Sequence, residues 1–165
     1  MSHEGQLPLS AVVLTAALVA VAGVAIAYAL NAQNQPATDK GILDVEKRRK
    51  MRESWALVEK IGLEEVGIIL FKKLFAQSPE SLALFSFKDE KDLYNSPHFK
   101  KHAKSVVQAV GAVVDELDDA ASLVRQLKRL GKSHVNMGLK PAHYDLVGKC
   151  FLETLSTNFT AYTVD

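Results

Sequence analysis

The stretch that decides the fold runs from Ser96 to Leu117: Ser-Pro-His-Phe-Lys-Lys-His-Ala-Lys-Ser-Val-Val-Gln-Ala-Val-Gly-Ala-Val-Val-Asp-Glu-Leu. Its apolar residues Phe99, Ala103, Val106, Val110, Val113 and Leu117 fall alternately four and three positions apart. That spacing follows one face of a helix with about 3.6 residues per turn, whereas a strand would alternate by two. The start has a mechanism as well. Ser96 offers a hydroxyl to the first free N–H groups, and Pro97 fills a first helical position that needs no N–H.

Outward from this helix the same period recurs. Met51, Trp55, Val58 and Ile61 share a face, as do Leu63, Val66, Leu70 and Leu74. Leu123, Leu127, Leu130 and His134 form a third stripe, and Tyr144, Val147, Phe151 and Leu155 a fourth. Ser78-Pro79 repeats the capping pair, Asp118 and Asp119 precede the third stripe, and Pro141 follows an Asn136-Met137-Gly138 break. Together these predict an all-α domain over residues 43–165, with five longer helices, a short one at Pro79–Leu84 and negligible β structure. The connection from Phe87 to Ser96 is short and leaves little room for another small helix.

The chain has 165 residues, enough for one domain and an appendage. Its formal charge of +1 argues against a nucleic-acid binder. The single cysteine, Cys150, excludes an internal disulfide scaffold and a cysteine-only zinc site. It is expected to be a buried, inert thiol.

The appendage is of another kind. Before Asp39 the only charged side chain is Glu4. After a tail at 1–6, residues 7–30 carry no charge, and as a helix they would reach about 36 Å, enough to cross a bilayer core. A membrane anchor is the favoured reading. A cleaved signal peptide is the alternative, since Ala27-Tyr28-Ala29 resembles a cleavage site, although no Lys or Arg precedes the apolar run. Residues 31–42 have linker composition. Lys40 and the run Lys47-Arg48-Arg49-Lys50 make the C-terminal flank the basic one, which predicts a single-pass membrane protein with a cytosolic domain. That run also reads as an ordinary solvated helix face.

Two histidines lie on apolar stripes, His102 on the central helix and His134 at the end of the third. A buried unpaired polar group costs about 1–3 kcal/mol, so each needs a partner. A core histidine bonded to a carbonyl is the common solution, and porphyrin iron is another. Phe71, Phe75, Phe85 and Phe87 form either an ordinary core cluster or the wall of a flat cofactor.

Here the residues resemble a family. Glu53-Ser54-Trp55, Phe71-Lys72-Lys73-Leu74-Phe75, the run Pro79–Phe85, Ser96–His102 and Leu130-Gly131-Lys132-Ser133-His134 follow in order and spacing the pattern of globins, in particular neuroglobin-like globins, over about residues 44–159. The resemblance implies a haem b cofactor. It makes His134 the proximal iron ligand and His102 the distal histidine, a possible sixth ligand. Leu130 would pack beneath the haem, Phe85 stack on it, and Phe71 and Val106 line the distal side. Leu139 and Tyr144 would line the proximal side. The Leu130 carbonyl or the Ser133 hydroxyl would hold the second nitrogen of His134. His98 and His143 read as solvated first-turn residues. Lys100, Lys101 and Lys104 form a solvated face within reach of haem propionates.

Globins add a last long helix, which here would begin near Asn158–Tyr162. The sequence ends at Asp165, so the resemblance implies a globin lacking that helix, with apolar surface bared on the first and last helices. Reversible binding of dioxygen or another diatomic gas is the leading expectation. A haem redox enzyme of the nitric oxide dioxygenase or nitrite reductase type would need an external reductase, because no flavin or nicotinamide motif is present. A helical adaptor without haem, or a truncated product, is the third reading. No catalytic residue is assigned.

Overall fold

The structure, a computed structural model, describes residues 45–135, 137 and 139–162. The apolar segment 7–30, the linker 31–42 and the first residues of the domain lie outside them. Among the described residues, no helix is long and apolar enough to cross a membrane.

Every regular element among these residues is helical. In chain order they are α1 (Val45–Ile61), α2 (Leu63–Gln77), a 3₁₀ segment (Pro79–Leu84), α3 (Pro97–Asp115), α4 (Ala120–Val135) and α5 (Pro141–Tyr162). Two further 3₁₀ turns stand at Leu93–Asn95 and Glu116–Asp118. The first of these corrects the expectation for the Phe87–Ser96 connection: although short, it closes one turn, with Asn95 and Ser96 donating back to the Asp92 carbonyl. The run at 158–162, read as the start of a further helix, continues α5.

Helix ends follow the sequence with two exceptions. The Ser96 hydroxyl accepts from the Phe99 N–H at 3.2 Å, and Asp119 accepts from the Ser122 N–H at 2.8 Å. Ser78 does not cap; its hydroxyl donates to Glu80 instead. Asp118 does not cap either. It takes ion pairs from Arg48 at 2.7 Å and Arg52 at 2.6 Å and so ties the turn before α4 to α1.

The core lies among α1, α2, α3 and α5. Met51, Val58, Phe99, Ala103, Val107 and Cys150 are fully buried there. Desolvation raises the Cys150 thiol above its ordinary pKa, as expected of a buried, inert group. Two glycines let helices approach. A Cβ on Gly67 would stand 2.4 Å from the Ala103 carbonyl oxygen, so α2 and α3 touch backbone to backbone. A Cβ on Gly111 would meet the Trp55 ring at 2.8 Å.

The stripe read on α3 splits in two. The buried line is Phe99, Ala103, Val107, Gly111 and Val114, while His102, Val106 and Val110 stand half-buried beside it. Val106 and Val110 pack on the rim of the core, and beyond them Ala109, Ala112 and Val113 of α3 line a space.

Candidate functional site

That space is bounded by α3 and α4. His102 projects from α3 into a cage of aromatic rings. Its ring centroid is 5.3 Å from Phe71, 5.4 Å from Phe85 and 5.5 Å from Phe87. Phe85 stacks on Phe87 at 5.1 Å and stays half-buried, whereas Phe71 and Phe87 are deep in the core. Sequence reading grouped Phe87 with the cluster but gave it no place at the site. Its signal was its position two residues beyond Phe85, on the corner that turns both rings inward. Burial keeps the His102 imidazole below its ordinary pKa, and the charges of His134 and His98 add to this. A neutral imidazole is the form that ligates a metal or donates one N–H while keeping a lone pair.

His134 approaches from α4. Its Nδ1 lies 2.8 Å from the Leu130 carbonyl oxygen. Nδ1 therefore carries the proton, and in the neutral ring Nε2 carries the lone pair. Of the two acceptors anticipated from sequence, the Leu130 carbonyl makes this bond. The half-buried Tyr144 ring stands 6.1 Å from that of His134, and burial raises its hydroxyl above the ordinary tyrosine pKa. Leu139 is half-buried nearby in the chain, just ahead of α5.

The stripe on α4 tests whether a flat apolar cofactor fits. Leu123 is 1% exposed and packs with Val113 and Leu127. One turn beyond Leu127, Leu130 is 42% exposed, and Met137 just past the helix is 55% exposed. The only other exposed large apolar side chain among the described residues is Val45, so the bare surface expected on the first and last helices amounts to little there. Among the described elements, α4 packs on the 3₁₀ turn at Glu116–Asp118 and, through Leu123 and Leu127, on Val113 of α3. A groove of about 260 Å³ separates α3 from α4, lined by Ala109, Ala112, Val113, Gln126, Leu127, Arg129 and Leu130. This groove contains neither histidine; what suits haem is the donor set, a neutral His102 among aromatic rings and a His134 whose tautomer is fixed by the Leu130 carbonyl.

The remaining histidines do other work. The exposed His98 has Nε2 3.2 Å from the Ser86 hydroxyl and its ring 5.6 Å from Phe87, which fastens the corner rather than entering the cage. His143 Nδ1 accepts from the Lys140 N–H at 3.0 Å and serves as a local cap for α5 that sequence reading did not foresee. Lys101 and Lys104 are exposed and Lys100 half-buried. The basic run on α1 is largely neutralised within the fold: Arg48 reaches Asp118, Arg49 pairs with Glu46 and Glu53, and Lys50 with Glu46.

Two histidines on facing helices, an aromatic corner and this order of helices define a haem-pocket fold, and the comparisons agree. The globin family model matches residues 69–165. The chain is 34% identical to neuroglobin of Tetraodon nigroviridis over 128 residues, covering 73% of this chain and 79% of that protein. It is 34% identical to neuroglobin of Danio rerio over 132 residues, covering 76% of each, and 32% identical to neuroglobin of Dissostichus mawsoni. The chain belongs to the globin family. Membership implies haem with its iron, and the family binds diatomic gases such as dioxygen.

Proposed function

We propose that this protein is a membrane-tethered globin that reversibly binds dioxygen or another diatomic ligand at haem b, with His134 as proximal ligand and His102 as distal group or sixth ligand. The supporting observation is the bond from His134 Nδ1 to the Leu130 carbonyl, across the pocket from a neutral His102. Haem, when bound, supplies an iron that takes a gas molecule reversibly. The chain's part is positional. The Leu130 carbonyl sets the His134 tautomer and raises its basicity. Phe71, Phe85 and Val106 keep water from the distal side, and His102 either donates an N–H or ligates. Leu130, Leu139 and Tyr144 line the proximal side, and Lys100, Lys101 and Lys104 offer charge to the propionates. Residues 7–30 form the tether, with the domain on the cytosolic face.

The test is the visible spectrum of the full chain, purified with haem in mild detergent, oxidised and reduced. A Soret band that His134→Ala abolishes or strongly alters is the expected result. Sharp paired bands in the ligand-free ferrous form mean that both histidines bind. One broad band means an open site. A folded, soluble chain without a Soret band overturns the proposal.

A further inference from the structure

The outer side of α4 is as one-sided as its inner stripe. Arg125, Lys128, Arg129 and Lys132 recur at intervals of three, one and three, and all four are exposed. At about 100° per residue they centre opposite the Leu123–His134 stripe. The helix contains no Asp or Glu. Among the described residues, none of the four is in an ion pair. The nearest acids in the chain are engaged, Asp118 with Arg48 and Arg52 and Asp119 with the cap. The contrast with α1 is direct. There the cations have carboxylate partners; here Arg125, Lys128 and Lys132 lie on the outer face with Arg129 at the rim of the groove, and none has a carboxylate partner among the described residues.

We propose that this face of α4 docks on an anionic lipid surface. The inference rests on the proposed tether at residues 7–30. Even fully extended, residues 31–44 span at most about 50 Å, so a tethered domain stays beside the bilayer. A cluster of four uncompensated cations on one helix face matches the negative charge of a leaflet rich in anionic headgroups, and such attraction acts within a Debye length of about 8 Å. Lipid is preferred to an acidic protein partner because the tether already supplies the membrane. Docked this way, the proximal wall of the pocket lies against the headgroups and the distal opening faces away.

The test uses the full chain with haem in vesicles of phosphatidylcholine, with or without phosphatidylserine. Exposed amines are labelled with a membrane-impermeant reagent and read by mass spectrometry. In serine-lipid vesicles, labelling of Lys128 and Lys132 is expected to slow several-fold relative to Lys88 and Lys91, and 0.5 M salt (about a 4 Å screening length) should restore it. Arg125→Gln with Lys128→Gln should relieve the protection of Lys132 without changing the Soret band. Equal labelling in both lipids by an anchored chain overturns the docking, as does protection that appears only when an acidic protein is added. A chain that does not float with phosphatidylcholine vesicles overturns the tether instead. In that case, salt-sensitive binding to serine-lipid vesicles alone still supports the α4 face, and its absence overturns it.

Discussion

The two helices that carry histidines are held in opposite ways. α3 is locked on three sides: its backbone meets α2 at Gly67 and Ala103, Gly111 lies against Trp55, and His102 sits among three phenylalanine rings. α4 is fixed at its beginning, by the Asp119 cap and Leu123, and its apolar stripe becomes more exposed from Leu123 to Leu130. The protein alone packs the surroundings of His102. His134 is oriented locally by the Leu130 carbonyl, and on the proposed reading haem completes the packing on its side. A pocket of this kind couples cofactor retention to the order of one helix, while the rest of the fold is stable in its own right.

The largest effects should fall on the α3 side. Phe99→Ala removes a fully buried ring touching Phe71, Phe87 and Tyr94, and should lower unfolding free energy by about 3–5 kcal/mol in urea titration. Gly67→Ala should cost about 3 kcal/mol, since the new methyl group meets a backbone carbonyl that cannot rotate away. If either change is tolerated within 1 kcal/mol or so, α3 is not the rigid bank described here.

Leu130→Ala separates the two banks. Without haem, the half-exposed side chain contributes little, and unfolding free energy should fall by less than about 1 kcal/mol. With haem the same residue is expected to pack on the cofactor, so haem transfer to apomyoglobin should be roughly tenfold faster, equivalent to about 1.4 kcal/mol. A large loss of stability with unchanged haem release would reverse the comparison and make Leu130 a core residue.

Much of this was legible because helical period and capping are local. The stripes of α1, α2 and α4, the Ser96 and Asp119 caps and the carbonyl partner of His134 all follow from residues within one or two turns of each other. What was hidden depends on distance in the chain. The split of the α3 stripe arises because α2 takes one side through Gly67, and nothing near Val106 announces it. The inward turn of Phe87, the loss of Asp118 as a cap to Arg48 and Arg52, and the neutralisation of the α1 basic run are choices made among partners that only the fold brings together. Side-chain periodicity locates a face. It does not say whether protein, cofactor or lipid lies opposite.

The smallest predicted effect tests the hinge between the two banks. α4 packs on the turn at Glu116–Asp118 and at its start on Val113 of α3, and that turn is pinned to α1 through Asp118. Asp118 is 62% exposed by side chain and Arg52 40%, so water and salt screen much of the attraction. Asp118→Asn should therefore cost only about 0.2–1 kcal/mol of global stability, and less at high salt. Its consequence for α4 should be the more visible one. Amide exchange in Ala120–Val135 should quicken in the haem-free chain while exchange in Pro97–Asp115 stays as it was, because the α3 contacts at Gly67 and Trp55 do not pass through this turn. Equal acceleration in both helices would mean that the ion pairs hold the whole fold, and that α4 is not the separately governed element its packing describes.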